Sequence, residues 1–203
     1  PLNLVTRIQK RFLDLFVALI ALVIFMPLLI VVALAIRLEG PGPVFFRQLR
    51  VGQGNRQFRI FKFRSMHLES SDSAGDRSTS RDDDRITRVG RIIRRTSIDE
   101  LPQLINVLRG EMSMVGPRPH ALGSTAGDEL FWHASQQYWL RHALKPGITG
   151  LAQIRGYRGA TERVEDIDRR VRCDLEYLSN WSLWNDIIIL LKTVRVVMHK
   201  NAY

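Results

Sequence analysis

Apolar residues are concentrated at the start of this chain. Leu15 to Ile36 is a run of 22 residues without a charge. As a helix rising 1.5 Å per residue it extends about 33 Å, enough to cross a bilayer. It is too long for the core of a secretory signal, and no small-residue cleavage site follows. Pro27, in mid-run, removes a helical hydrogen bond and favours a kink. Arg7, Lys10 and Arg11 precede the run, and from Arg37 onward 27 basic residues stand against 19 acidic ones. Basic flanks prefer the cytoplasmic side, so a re-entrant helix–break–helix over residues 1–37 keeps both flanks there. An ordinary kinked transmembrane helix is the alternative.

The pattern then changes period. Glu39-Gly-Pro-Gly-Pro43 breaks the chain. Val44–Leu49 and Gln57–Phe63 read as two short strands joined by a turn at Gly52-Gln-Gly-Asn55. His67–Asp84 has no apolar period and reads as a mobile loop; Asp82-Asp83-Asp84 within it could bind a metal but reads better as a solvated cluster. Ile86, Val89, Ile92 and Ile93 have helical spacing over Arg85–Arg95. A second helix is predicted from about Asp99 to Leu108, stopping at Gly110. Gly116-Pro-Arg-Pro119 is rigid and non-helical, residues 120–140 are partly helical, and Lys145-Pro-Gly-Ile-Thr-Gly150 is a turn. Thr161–Leu178 reads as a charged helix. Trp181–Lys200 reads as an amphipathic one, with Trp181, Trp184 and the apolar face of 187–198 at a membrane interface or packed beside the anchor. The fold class is α+β: a membrane-inserted segment at 1–37, then a compact catalytic domain at 38–203 with a small β-hairpin, several helices and the amphipathic helix 181–200.

Charge and cysteine content narrow the partners. Lys plus Arg number 30 and Asp plus Glu 20 in 203 residues, a net charge of +10. That balance suits nucleic acid, an anionic membrane or phosphorylated substrates. The aromatic residues show no stacking pattern beside the basic ones, which argues against nucleic acid. Cys173 is the only cysteine, so no internal disulfide and no cysteine-based zinc site can form.

The chemistry-bearing residues gather between Arg94 and Pro119. Asp99 and Glu100 are adjacent carboxylates at a predicted helix start, where partial positive charge and unpaired amides favour anions. An ionised aspartate there suits nucleophilic attack on phosphorus, and hard carboxylate oxygens suit Mg²⁺. Ser97-Ile-Asp-Glu100 also fits a capping box, with Ser97 as the cap and Glu100 folding back. Arg94 and Arg95 are near in sequence. Arg118 is fixed between two prolines, where a guanidinium loses little freedom on gripping a phosphate. Lys62, at the end of the second strand, is a further phosphate partner.

Five segments occur in order: Lys62-Phe-Arg-Ser-Met66, Ser97-Ile-Asp-Glu-Leu-Pro-Gln-Leu104, Asn106-Val-Leu-Arg-Gly110, Met114-Val-Gly-Pro-Arg-Pro119 and Lys145-Pro-Gly-Ile-Thr-Gly150. Together they resemble the bacterial sugar transferase family, the monotopic phosphoglycosyl transferases, over nearly the whole chain. The resemblance implies a two-step reaction. Asp99 of the Asp99–Glu100 dyad attacks the β-phosphate of a UDP-sugar, UMP leaves, and polyprenyl (undecaprenyl) phosphate then takes the sugar phosphate. It implies Mg²⁺ at Asp99 and Glu100, substrate contacts from Lys62, Arg94 and Arg118, and nucleotide-sugar binding at Asp174 and at Tyr157 or Arg158. Pro27 is the membrane break, although Met26 stands where family members often have serine. The length of residues 120–140 and the start at Pro1 resemble the larger members, which begin capsule, exopolysaccharide or O-antigen synthesis from UDP-glucose or UDP-galactose, with a UDP-N-acetylhexosamine or a modified sugar as alternatives. The implied partners are the UDP-sugar, the polyprenyl phosphate and the bilayer, with a homodimer compatible. The implied location is the bacterial inner membrane, catalytic domain on the cytoplasmic face. A membrane-tethered binder of nucleic acid or acidic lipid would need no carboxylate pair among arginines, and neither would a scaffold subunit.

Overall fold

A computed structural model describes residues 2–68, 83–157, 161 and 163–198. The apolar run lies within one helix, α1, Leu4–Glu39, which is about 54 Å long at 1.5 Å per residue. Asn3 caps its start through the Thr6 amide, and helical backbone continues through Pro27. The expected break is therefore a missing hydrogen bond to the Val23 carbonyl rather than an interruption, because proline has no amide to donate. At the far end Arg64 caps α1, its guanidinium donating to the carbonyls of Ile36 and Gly40.

Contacts along α1 come in two stretches. Lys10, Asp14 and Ala18 are buried near its start, and Val32 and Ile36 near its end. Ala18 belongs to the main apolar core with Leu104, Val107, Met112 and Tyr177. Val32 and Ile36 pack with Phe63 and Ile93 in a second cluster. Between these, Val23, Ile24, Phe25, Met26 and Pro27 are all exposed. Five successive residues cover every face of a helix, so the stretch around Pro27 is exposed on every face. Residues 1–37 thus share cores with residues 38–203 at both ends.

Strands β1, Phe45–Val51, and β2, Gln57–Phe63, form the predicted antiparallel hairpin, with Phe45 opposite Phe63 and Val51 opposite Gln57. A short 3-10 turn at Gln53–Asn55 joins them, and Gly54 and Asn55 take positive φ there, 64° and 61°. Helix α2, Arg88–Arg95, is shorter than expected because the Thr87 side chain caps it by accepting from the Gly90 amide. Ile86 instead bridges to Met66, and Ile92 is exposed. Asp83 is buried in a two-pronged ion pair with Arg85, not solvated; Asp82 lies outside the described residues.

Helix α3, Gln103–Arg109, ends at left-handed Gly110. It starts later than predicted, since Ile98–Glu100 forms a separate 3-10 turn. After α3 comes β3, Ser113–Val115. The 120–140 stretch holds a tiny hairpin of β4, Thr125–Ala126, and β5, Glu129–Leu130, then α4, Phe131–Ala134. A 3-10 segment, Tyr138–Ala143, follows. The predicted turn at 145–150 carries a strand, β6, Gly147–Thr149, which pairs in parallel with β3, Ser113 opposite Gly147 and Val115 opposite Thr149. A short helix α5, Leu151–Ile154, leads on to α6, Val164–Ser179.

The last described helix is α7, Leu183–Met198. One side packs inward through Asp186 and Ile189, while Trp184, Leu191 and Val194 are exposed. Asp186 bonds Lys10 Nζ at 2.6 Å, the Tyr177 hydroxyl at 2.7 Å and the Trp181 indole N–H at 3.3 Å. The helix is therefore tied to α1 by a buried ion pair and also presents apolar side chains outward. Lys200 lies outside the described residues.

Candidate active site

Three segments deliver the central residues. Lys62 projects from the end of β2, which is fixed to α3 by Asn106. This fully buried amide accepts from the Phe61 N–H at 2.9 Å and donates to the Arg59 carbonyl and Glu111 carboxylate, each at 2.7 Å. Asn106 was visible in the sequence only as part of a motif; its role as a clamp needed the fold.

The second segment is the turn between α2 and α3. Ser97 occupies left-handed backbone, φ 59°, and its side chain caps none of the amides there. The capping box is not made. A serine in that conformation stores roughly 1 kcal/mol or more of strain. The Ile98–Glu100 turn places both carboxylates inward, each with 8% of its surface exposed.

The third is the Pro117-Arg-Pro119 turn after β3. Its position depends on glycines that let the backbone at Gly116 touch the 145–150 segment. A Cβ added at Gly147 would lie 2.1 Å from the Gly116 nitrogen, one at Gly150 2.2 Å from the Gly116 carbonyl oxygen, and one at Gly116 2.4 Å from the Lys145 carbonyl oxygen. Only hydrogen fits at those points, which is the physical content of the Gly116 and Gly147–Gly150 motif positions.

The two acids are treated differently. Glu100 is fully paired: Lys62 Nζ reaches Oε1 at 2.8 Å, and Arg118 binds in a fork, Nη2 to Oε1 at 2.6 Å and Nη1 to Oε2 at 3.1 Å. Asp99 accepts no hydrogen bond and joins no ion pair among the described residues. Burial pushes its carboxyl up to about 6, with Lys62 pulling down, Glu100 pushing further up, and Arg94 and Arg118 pulling down. It is thus a desolvated carboxylate, still mostly ionised at neutral pH, with its lone pairs uncommitted. Burial also lowers the Lys62 ammonium, against the pull of Glu100 and Asp99. Arg94 is half-buried and donates to the Ser65 hydroxyl at 3.4 Å. Arg95 is exposed.

The remaining predicted site residues lie elsewhere. Tyr157 follows α5, half-buried, its amide bonded to the Ala152 carbonyl. Arg158 lies outside the described residues. Asp174, on α6, is 2% exposed, and its carboxylate is bound by Arg141, Nε to Oδ2 at 2.8 Å. Pro27 is exposed in the middle of α1. Arg141, His120 and Tyr138 form a buried cluster behind Arg118 that the sequence pattern did not single out, since a buried arginine has no period to betray it.

The donor set accommodates a magnesium ion. Such ions take one or two carboxylates and leave the other positions to water and phosphate. Asp99 offers uncommitted oxygens, whereas Glu100 can join only by yielding part of its bonding to Lys62 and Arg118. No group of three or more acidic, histidine or cysteine side chains suited to a metal occurs among the described residues, so the remaining positions of such an ion would fall to water and phosphate.

The family model described as bacterial sugar transferase matches residues 5–200. An undecaprenyl-phosphate glucose phosphotransferase of Komagataeibacter xylinus is 52% identical over the whole chain, which covers 38% of that protein. A UDP-glucose:undecaprenyl-phosphate glucose-1-phosphate transferase of Caulobacter vibrioides is 50% identical over 97% of the chain and 72% of its own length. A UDP-N-acetylgalactosamine-undecaprenyl-phosphate N-acetylgalactosaminephosphotransferase of Aeromonas hydrophila is 44% identical over 93% of the chain and 43% of its own length. The chain thus spans about two fifths of two of these relatives and nearly three quarters of the third. With a match across almost its entire length and half its residues shared with such relatives, this chain belongs to the bacterial sugar transferase family.

Proposed function

We propose that this chain transfers a hexose-1-phosphate from a UDP-sugar to undecaprenyl phosphate through a covalent sugar-phosphoryl-aspartate. The observation that carries the reading is the contrast between the two acids: Glu100 is held by Lys62 and Arg118, while Asp99 beside it is desolvated and uncommitted. A carboxylate short of solvation and hydrogen bonds is a better nucleophile than a paired one. Asp99 attacks the β-phosphorus, the bond from that phosphorus to the bridging oxygen breaks, and UMP leaves. An oxygen of the polyprenyl phosphate then attacks the same phosphorus, displacing Asp99 and giving the polyprenyl diphosphate sugar. Lys62, Arg94 and Arg118 supply positive charge for the diphosphate. Mg²⁺ bound through Asp99, and through Glu100 where it yields, would neutralise phosphate charge. Among relatives, those named for glucose transfer support UDP-glucose, and the one named for N-acetylgalactosamine supports the alternative of a UDP-N-acetylhexosamine.

The membrane reading rests on α1. Both of its ends pack on the rest of the chain and its apolar middle stands free. A straight span would carry one end to the opposite face, away from that domain. A helix bent at Pro27, where the bond to the Val23 carbonyl is missing, that entered and left one leaflet would satisfy both contacts, with the domain on the cytoplasmic face. Trp184, Leu191 and Val194 on α7 form a second apolar surface for the interface.

Incubation with UDP-glucose, Mg²⁺ and no lipid acceptor, followed by intact-protein mass spectrometry, tests the chemistry. A sugar-phosphate adduct mapping to Asp99, with UMP released in step, is expected. UMP release by an Asp99→Asn protein at the normal rate overturns it.

A further inference from the structure

Resting on the transferase reading above, we propose that Arg141 and Asp174 are positioning residues: from behind the Pro117-Arg-Pro119 turn they hold the Arg118 backbone, and so the guanidinium that holds Glu100. The need for such a device follows from the sequence of the turn. Pro117 and Pro119 carry no amide, so the turn has a single backbone donor, the Arg118 N–H, and its three carbonyls are its main backbone handles. Each of the three carbonyls is held from outside. The Gly147 amide donates to Pro117 O at 2.9 Å, Arg141 Nη2 to Arg118 O at 2.8 Å, and Arg50 Nη1 to Pro119 O at 3.4 Å. The Arg118 carbonyl is the one held by a fully buried side chain.

Arg141 is 1% exposed, and every nitrogen of its guanidinium has a partner. Nε donates to Asp174 Oδ2 at 2.8 Å, Nη2 lies 2.6 Å from the same carboxylate oxygen, and Nη1 meets His120 Nδ1 at 2.7 Å. His120 Nδ1 also lies 3.3 Å from the Tyr138 hydroxyl. With Nδ1 accepting from Arg141, the imidazole is neutral. Its burial and the neighbouring arginine, which lower its pKa well below the ordinary value, agree with that state. A planar fork that reaches a carboxylate, a carbonyl and an imidazole at once cannot be copied by a lysine. A buried ion pair is weak support for stability as such, since apolar residues fill the same volume at no desolvation cost. Its use here is geometric: it couples α6 and the Tyr138–Ala143 segment to the one carbonyl that sets Arg118. Asp174, meanwhile, is 2% exposed and its Oδ2 is taken up by Arg141, so it offers a nucleotide little surface.

Arg141→Lys keeps the charge beside Asp174 but not the reach to Arg118. Its kcat should fall by about tenfold to a hundredfold, the scale of a misplaced catalytic group, while KM for UDP-glucose stays within about threefold. Combined with Arg118→Lys, it should lose no more than Arg118→Lys alone. UMP affinity of Asp174→Asn, measured by calorimetry, should match the parent. Weakened UMP binding with unchanged kcat would make Asp174 a nucleotide contact and overturn the proposal. Multiplicative losses in the double variant would also overturn it, as would a lowered Tm with unchanged turnover per adduct-forming site. Hydrogen exchange over residues 113–123 reads the same geometry without turnover. Faster exchange in Arg141→Lys confined to this stretch is expected, and unchanged exchange there refutes the proposal. If the parent releases no UMP from any UDP-sugar, the transferase reading fails while the exchange result still decides the positioning role.

Discussion

Replacing Asp99 by asparagine should abolish turnover and make the protein more stable. The Asp99 carboxyl is pushed from 3.8 to about 6 by burial, outweighing the nearby cations. A shift of that size corresponds to about 3 kcal/mol of destabilisation by the charged form in the folded state. The penalty is fully present above the folded value near 6. It shrinks as pH falls from there and is gone only below the unfolded value near 4, where the carboxyl is protonated in both states. Asparagine keeps the shape without the charge and so removes the penalty. At pH 7.5 in EDTA, Asp99→Asn should gain up to about 3 kcal/mol, or roughly 6–12 °C in Tm for a domain of this size. The gain should dwindle toward pH 4.5. Differential scanning fluorimetry of parent and variant in nanodiscs across that range measures it, and UMP release measures activity. The capping reading of Ser97–Glu100 demands the opposite sign, a loss of about 1 kcal/mol with activity kept. A variant less stable than its parent, or a gain that ignores pH, refutes the reasoning.

The same ionisation should govern rate: kcat/KM for the UDP-sugar should be flat above pH 7 and fall about tenfold per unit well below 6, as read from steady-state UMP release. Glu100→Gln leaves Lys62 and Arg118 facing a neutral amide, so stability should drop by about 1–3 kcal/mol in urea titrations and activity by at least about a hundredfold. Gly147→Ala forces a methyl to 2.1 Å from the Gly116 nitrogen, and should lower stability by about 3 kcal/mol or more or prevent folding, scored by Tm and recovered yield. Cysteines placed at each end of the apolar run should label from the same side of sealed inverted vesicles, and Pro27→Leu should send a fraction of molecules to opposite-side labelling.

Much of this protein was legible along the chain because the relevant physics is local. An uncharged run of 22 residues is long and apolar enough to cross a membrane, by length and composition. The β-hairpin declared itself as two short strands around a glycine turn, and α6 as a charged helix. Gly110 ended α3 where a left-handed residue was expected. The Asp99–Glu100 pair and Arg118 stood out by type and spacing. What only the tertiary structure decided is which charges meet. Nothing in sequence separates the paired Glu100 from the uncommitted Asp99, because their difference comes from Lys62 on β2 and Arg118 beyond β3, 38 and 18 residues away. The 145–150 segment reads as a turn until β3 arrives to pair with it, and its glycines show their purpose only where backbones touch. Arg141 was invisible for the same reason: burial of a cation depends on the partners that two distant segments, the 117–120 turn and α6, bring to it, and no local pattern encodes that meeting.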